Sequence, residues 1–328
     1  MNLKNDLALW LQSQGVRGDL GAMLQALAAA GIEIAAAIET SALAGEGAAG
    51  SVNVQGEEQK ALDIISNDIV LAHLAGQKQV AALVSEEIAE LIIPDDADKE
   101  APYVVCFDPL DGSSNIETNS AIGTIFSILS LKRDAGAIGA ADVLAAAQNQ
   151  IAAGYVLYGP TTILVLTTGK SVASFVLNRN DSEFILMEPV LSIPKQAVEF
   201  SINTAYARFW EKPLATYIEN CVRGEVGPRG KAFNMRWSAA MVADVHRLFV
   251  RGGIFIYPAL NRPGGENGKL RFLYEANPMA MLVEVGGGKA QMRLDPITSL
   301  HPTSLHQRVP VVLGSAEEVE ILTGHYQN

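Results

Sequence analysis

The chain has 328 residues, 49% of them hydrophobic and 18% charged, which is enough to bury one large core or two coupled ones. A formal net charge of −12, from 36 acidic and 24 basic residues, excludes nucleic acid as the main partner, because that role calls for a basic face. Two cysteines, Cys106 and Cys221, make no paired or metal-ligand spacing, so a disulfide scaffold is excluded and a reducing cytoplasm is expected.

From the N-terminus, the apolar patch Leu7–Leu11 is interrupted by Gln12, Gln14, Arg17 and Asp19, too soon for a secretory segment. A helix is predicted over residues 20–44. Its stretch Ala22–Ile38 is only weakly hydrophobic and contains Glu33, so it reads as a helix packed in a fold, with no membrane partner. Residues 45–50, mostly Gly and Ala, read as a mobile connection. A helix then covers Leu62–Ala75, and strands follow at Val80–Val84, Tyr103–Phe107 and Thr124–Leu131. Tyr155–Tyr158 and Thr161–Leu166 flank Gly159-Pro160 as a hairpin, and Val172–Leu177 with Glu183–Met187 form a second.

Prolines between Glu188 and Pro194 break the pattern and divide the chain into residues 1–189 and 190–328. The second part reads as strand Glu199–Asn203, helices Glu211–Val222 and Ala239–Val250, and strand Gly253–Tyr257. Asn277 as cap and Pro278 in the first turn then open a helix that ends at Gly286-Gly287-Gly288. Ser315-x-x-Glu318 opens the last helix as a capping box. Antiparallel hairpins within a helix-rich chain predict a layered α/β fold in place of a pure Rossmann order.

Chemistry concentrates in Val105-Cys106-Phe107-Asp108-Pro109-Leu110-Asp111-Gly112-Ser113-Ser114-Asn115, where an apolar strand runs into a tight loop with two carboxylates. Asp108 and Asp111 can converge there with the Leu110 carbonyl, a ligand set for a hard cation such as Mg2+. Gly112, Ser113 and Ser114 come next, so their backbone N–H groups can face a phosphate held against the same metal. The plain alternative is an Asx-turn in which both aspartates only cap backbone groups. Against it stand Glu86 and Glu87 after the apolar run Val80–Val84, and Asp63 in Leu62–Asp68. Acidic groups gathered near apolar strand ends are what multi-metal phosphoryl transfer requires.

With these residues in view, the sequence resembles class I fructose-1,6-bisphosphatase. The Asp-Pro-Leu-Asp-Gly-Ser core is shared with the wider group of metal-dependent phosphatases that includes inositol monophosphatase. Further blocks separate the two: Ser85–Glu87, Ser201–Asn203 followed by Tyr206, Met241–Arg247 followed by Gly252–Pro258, and Asn267–Ala280. The resemblance extends from about Gly50 to Gly314. The Trp-Asp pair of the inositol phosphatases is absent, because Trp10, Trp210 and Trp237 precede Leu, Glu and Ser.

The resemblance implies an α/β sandwich of alternating helix and mixed-sheet layers in two coupled halves. It also implies Mg2+-dependent hydrolysis of the 1-phosphate of fructose 1,6-bisphosphate, with two or more ions per subunit and Mn2+ as a substitute. Glu86, Asp108, Asp111, Glu275 and the Leu110 carbonyl are then the metal ligands, with Glu57 at an outer position. Asp63 and Glu87 match the pair that orients and deprotonates the attacking water. Asn203, Tyr206, Tyr257, Lys269 and Arg236 match the sugar 6-phosphate site, Arg236 coming from an adjacent subunit of a homotetramer. Arg271 matches a residue near the 1-phosphate, and Met241 one that packs on the sugar. An acidic site for a phosphorylated sugar itself calls for cations, since carboxylates repel phosphate.

Two departures from the family pattern are visible. Trp237 stands where many members carry a tyrosine that bonds the 6-phosphate, and its only donor is the ring N–H. At the allosteric AMP position of the animal enzymes, Pro102 and Ser130 replace a lysine and an arginine, and Tyr103 remains. One alternative within the same chemistry is a dual enzyme that also accepts sedoheptulose 1,7-bisphosphate. A non-enzymatic, acidic cation-binding scaffold is the other, and it leaves Arg236, Lys269 and Arg271 unexplained.

Overall fold

The computed structural model describes residues 6–16, 18–44, 51–52, 58–59, 61–132 and 136–327. The predicted connection at residues 45–50, and Glu57, lie outside them. The first part contains α1 (Leu7–Ser13), α2 (Gly18–Ala44), the short strands β1 (Ser51–Val52) and β2 (Glu58–Gln59), and α3 (Ala61–Leu74). Seven strands come after it, interrupted by α4 (Ala140–Ala146): β3 (Val80–Ser85), β4 (Tyr103–Asp111), β5 (Ile122–Ser130), β6 (Gln150–Tyr158), β7 (Thr162–Thr167), β8 (Val172–Asn178) and β9 (Glu183–Glu188). They form one sheet in sequence order, parallel between β3 and β4 and antiparallel elsewhere.

The second part adds β10 (Glu199–Ser201), α5 (Lys212–Val222), β11 (Asn234–Met235), α6 (Met241–Arg251), β12 (Ile254–Tyr257), β13 (Leu270–Arg271) and α7 (Asn277–Val285). It closes with β14 (Lys289–Met292), β15 (Asp295–Pro296), β16 (Arg308–Val309), β17 (Val311–Gly314) and α8 (Ala316–Gln327). Its main sheet has the order β11-β10-β12-β17-β14-β15, while β13 and β16 pair separately.

Burial on alternating strand positions explains the layers, because successive side chains point to opposite faces. Along β4, Tyr103, Val105 and Phe107 pack with Leu24, Leu27, Ile34 and Leu62 of α2 and α3, while Val104 and Cys106 face Met241, Val245 and Met279 of α6 and α7. Both faces are therefore covered, which is why the strand reads as one unbroken apolar run. In β12, Phe255 faces that same α6–α7 layer, and Ile254 and Ile256 face Leu214, Tyr217 and Leu322 of α5 and α8. The order is helix, sheet, helix, sheet, helix, the α/β sandwich expected. The middle core draws on both parts of the chain.

The Ala-rich helix is long and apolar enough to cross a membrane, but half of that stretch is buried inside the fold. Met23, Leu24, Leu27, Ala30 and Ile34 form its inner face.

Two helix starts differ from expectation. Asn277 is no cap: the preceding residues Phe272–Ala276 already coil as a π turn, and the Asn277 side chain donates to the Ala147 carbonyl at 3.0 Å. Ser315 and Glu318 make no capping box either. The Ser315 hydroxyl bonds the Pro194 carbonyl and the Gly253 N–H, tying β12 and β17 to the chain at residue 194. Glu318 accepts from Arg229 (2.7 and 2.8 Å), Lys231 (3.1 Å) and the Tyr217 hydroxyl (2.8 Å) beneath α8. Charges replace the cap because a buried carboxylate requires partners in full.

Glu318 is 1% exposed, so truncation strands Arg229 and Lys231 without their anion. Glu318→Ala is expected to lose roughly 3 kcal/mol of stability. Urea unfolding followed by circular dichroism checks this, and a loss under about 1 kcal/mol would rule out the buried pair as a fixed support.

Candidate active site

Asp108 and Asp111 are three residues apart, and a regular strand would send them to opposite faces. A bulge prevents this. Asp108 lies opposite Ile125 and Asp111 opposite Gly123, so three steps along β4 match two along β5. The extra residue flips the face of the strand's last positions. Leu110 accordingly joins the α2–α3 core, and Asp111 turns to the α6 side, where the Val242 N–H donates to it at 2.8 Å. Pro109 suits the bulge because it needs no donor, and its carbonyl accepts from Thr124 at 2.8 Å. Gly112 is required next. Its φ is +79°, and a Cβ there would meet the Ala240 Cβ at 2.5 Å.

The π turn at Phe272–Ala276 carries Glu275 to the same place from the second part of the chain. Carboxylate oxygens of Asp108, Asp111 and Glu275 lie within 4.8 Å of one another. All three residues are buried, at 2%, 7% and 5% exposure. Burial raises all three carboxyls above their usual range. The charge of Glu86 adds to the rise at Asp108, and Asp111 and Glu275 each reach about 7. The Asx-turn alternative is present in part, since Asp108 Oδ1 accepts from the Leu110 N–H at 2.9 Å. Backbone capping does not account for three mutually repelling acids. Oxygen-only donors of this charge and spacing fit a hard divalent cation.

Glu86 and Glu87 form the turn directly after β3, placed by the parallel pairing of β3 with β4 and by the bond from the Glu86 N–H to the Phe107 carbonyl. The Glu87 N–H donates to the Ser85 hydroxyl, which donates to Asn67 of α3. Asp63 lies buried in the first turn of that helix. Arg271, 2% exposed, places Nη2 3.7 Å from Glu86 and donates its backbone N–H to Glu275 at 2.6 Å.

A cleft of about 570 Å³ is lined by Asp63, Glu86, Glu87, Asp108, Leu110 and Asp111, by Gly112, Ser113 and Ser114, and by Asn203, Tyr206, Met241, Tyr257, Lys269, Arg271 and Glu275. The structure thus brings together every candidate except two. Glu57 lies outside the described residues. Arg236 is exposed beside an adjoining groove with Arg247 and Arg251, not in the cleft of its own chain.

Four lining residues had no assigned role in the sequence, Ala239, Asp244, Phe255 and Leu270, and Trp237, noted there as a departure from the family pattern, lines the cleft with them. Trp237 stacks on Phe255, with ring centroids 6.2 Å apart. Asp244 accepts from the Ser201 hydroxyl at 2.8 Å and from the Ser238 N–H, joining β10 to the entry of α6. Its only signal in the sequence is an acid in the first turn of a helix, a position that favours acids in any fold.

Residues 9–189 match the family model of the fructose-1-6-bisphosphatase N-terminal domain, and residues 193–327 that of the C-terminal domain. The class 1 fructose-1,6-bisphosphatase of Shewanella sediminis (strain HAW-EB3) is 50% identical over 321 residues, 98% of this chain and 96% of its own. That of Shewanella pealeana (strain ATCC 700345 / ANG-SQ1) is 50% identical over 315 residues, covering 96% and 94%. Among solved structures, the Leishmania major fructose-1,6-bisphosphatase in holo form superposes with a TM-score of 0.91 at 35% identity, covering 98% of this chain and 99% of that one. The apo form of the same protein gives 0.85 at 34% identity, with the same coverage.

Raised carboxyl pKa values set a pH dependence. From about pH 4 to about 7, Asp111 and Glu275 hold protons in the folded chain that the unfolded chain has released, so they lower metal-free stability as pH rises through this window. Divalent cations compete with those protons. The rise in melting temperature on adding Mg2+ is therefore expected to be small near about pH 5 and large near about 7.5. Thermal melts at both pH values check it, and a shift that is the same at both would contradict the shared buried charge.

Proposed function

The chain belongs to the class 1 fructose-1,6-bisphosphatase family, and on that premise we propose that its acidic cleft holds two or more Mg2+ ions, replaceable by Mn2+, against the substrate's 1-phosphate. The reaction is hydrolysis of fructose 1,6-bisphosphate to fructose 6-phosphate and phosphate, a phosphoric monoester hydrolysis. One observation carries the metal reading: the bulge in β4 turns Asp108 and Asp111 to one side, against Glu275, where the charges of Arg271 and Lys269 offset the burial of Glu275 only in part.

In this reading Glu86, Asp108, Asp111, Glu275 and the Leu110 carbonyl hold the ions, with Glu57 completing the set. When bound, such ions polarise the phosphoryl oxygens and lower the pKa of a coordinated water. Asp63 and Glu87, fixed through α3 and the end of β3, take the proton of the attacking water and orient it along the line opposite the leaving oxygen. The backbone N–H groups of Gly112, Ser113 and Ser114 face the phosphate, and the left-handed Gly112 aims them. Arg271 neutralises the 1-phosphate from the side of Glu86. Met241, buried at the start of α6, packs on the sugar.

Asn203, Tyr206, Tyr257 and Lys269 bind the 6-phosphate at the far end of the cleft. Arg236, turned away from its own cleft, completes that site in the neighbouring subunit of a homotetramer. We place the protein in the cytoplasm, where Cys106 and Cys221 stay reduced; both are buried and free. Residues 1–189 and 190–328 act as two coupled halves, the first carrying most metal ligands and the second most of the sugar-phosphate contacts. The Shewanella and Leishmania relatives all carry the fructose bisphosphatase name, which favours a single substrate over a dual one.

Phosphate release from fructose 1,6-bisphosphate, sedoheptulose 1,7-bisphosphate and inositol phosphate, each with and without Mg2+, tests the reading. Activity is expected on the first, only with the metal, and Asp108→Asn or Glu86→Gln lowers kcat roughly a hundredfold or more in a folded protein. Near-normal Mg2+-dependent turnover in either variant would sink the ligand assignment.

AMP is expected to inhibit weakly or not at all. Beyond the replacements Pro102 and Ser130, the remaining Tyr103 hydroxyl donates to the Asp19 carboxylate at 3.1 Å, so an acid already occupies that position. Titration at saturating Mg2+ checks this, and potent inhibition non-competitive with substrate would show a site rebuilt from other residues.

Arg236→Ala is expected to raise KM more than it lowers kcat, because it removes a phosphate partner remote from the metals. Mixing Arg236→Ala chains with Asp108→Asn chains restores some low-KM activity if one subunit lends its arginine to the next. No recovery in verified hybrids would remove the shared site.

A further inference from the structure

His306 does not line the cleft; it lies in the loop before β16, near enough to Arg271 and Glu90 for their charges to act on its ring. Its ring nevertheless joins two segments that carry metal ligands. Nε2 stands 3.1 Å from the Ala89 carbonyl, three residues after Glu86 and two after Glu87. Nδ1 stands 2.8 Å from the hydroxyl of Tyr274, the residue immediately before Glu275. A carbonyl can only accept, so Nε2 carries the proton and Nδ1 is left to accept from Tyr274. Burial lowers the imidazole's pKa, in keeping with the neutral form.

Three elements fix the ring. Tyr274 is wholly buried, and its ring lies 5.8 Å from that of His306. The His306 backbone is held by its C-terminal neighbours: the Phe272 N–H donates to the Gln307 carbonyl, and β16 pairs with β13 at Arg271. Ala89 is in an exposed loop that is also tied to β3 through the bonds between Leu83 and Ile92 and to β4 through the bond from Glu86 to Phe107. Glu86 and Glu87 thus approach from the first part of the chain and Glu275 from the second, and the imidazole bonds to both segments at the back of the site.

We infer that His306 is a positioning residue for metal binding: by donating to Ala89 and accepting from Tyr274, it holds the Glu86–Glu87 loop in register with the Glu275 turn. This rests on the reading of Glu86 and Glu275 as metal ligands. His306 acts through the segments that carry them, so its loss weakens cation binding without removing a ligand. The effect is smaller than that of losing a hydrogen-bond partner in direct contact with a ligand, which costs about tenfold to a hundredfold.

The test is Mn2+ binding in the absence of substrate, read from the free-ion signal by electron paramagnetic resonance, on the full chain and four variants. His306→Ala is expected to weaken binding roughly threefold to tenfold. His306→Gln, whose amide N–H reaches the place of Nε2, recovers most of it. Tyr274→Phe loses only the hydroxyl and gives a weakening of its own, so the proposal stays testable if His306→Ala fails to fold. Glu275→Gln is the control for the ligand reading. If Glu275→Gln weakens Mn2+ binding while His306→Ala and Tyr274→Phe stay within about twofold of the parent, the positioning role is wrong and the ligand reading stands. Equal weakening in His306→Ala and His306→Gln also overturns it, because the bond to Ala89 is then not what matters. If Glu275→Gln itself binds Mn2+ normally, the ligand reading falls and takes the inference with it.

Discussion

Mutual repulsion among buried carboxylates is the constraint around which the rest is arranged. Asp108, Asp111 and Glu275 are withdrawn from water and placed within 4.8 Å of one another, although each would be more stable alone in solvent. Such an arrangement persists only where the surrounding structure over-determines it. Here a bulge in β4 aims the first two, the α6 N-terminus donates to Asp111, and a π turn delivers Glu275 with the Arg271 N–H bonded to it. The bulge and the π turn do nothing for the sheet or the helices as such, while the bond to Asp111 also satisfies an N–H in the first turn of α6. The bulge and the π turn depart from regular geometry where the three acids come together.

The layered fold supplies the stiffness this needs. Both faces of the seven-stranded sheet are covered, and the α6–α7 layer is gripped between two sheets, so the middle core holds the two parts of the chain at a fixed separation. The cleft opens at the edge of that layer. Its acidic side is built where β4, the turn after β3 and the π turn meet, and Tyr206, Tyr257, Lys269 and the stacked pair Trp237 and Phe255 also line it. Under the function proposed above, a negative chain holds a doubly phosphorylated sugar because cations answer one phosphate and Lys269 and its neighbours the other.

Most of the fold was legible because its signals are local. Apolar runs and turn residues placed the strands of the first sheet, with β4 ending four residues later and β6 starting five residues earlier than expected, and the helices at 62, 212 and 241 within two. What failed depended on distant partners. Asn277 and Ser315 have the residue types of caps, but their side chains are claimed by Ala147 and by Pro194 with Gly253. The site divides the same way. Asp108, Asp111, Glu86 and Glu87 stand out as acids at the ends of apolar runs, whereas Glu275 in isolation looks like any polar residue at a helix start and was found through the family resemblance. Asp244 and His306 were missed because their roles lie in bonds to Ser201, Ser238, Ala89 and Tyr274, and no spacing rule connects those positions. The bulge itself was invisible: in the sequence the strand ends at Phe107 and both aspartates fall in a tight loop, whereas β4 runs on to Asp111 and a bulge turns them to one side.

Proton release on metal binding tests the buried-charge account most directly. Isothermal titration of Mg2+ into the metal-free protein near about pH 7, repeated in buffers of different ionisation enthalpy, gives the number of protons expelled as cations replace them. With Asp111 and Glu275 pushed up to about 7 and Asp108 also raised, the account predicts release of roughly one proton or more there, and less release as pH rises above it. Binding with no proton release at that pH would mean that the carboxylates are ionised before the metal arrives, and would contradict the account.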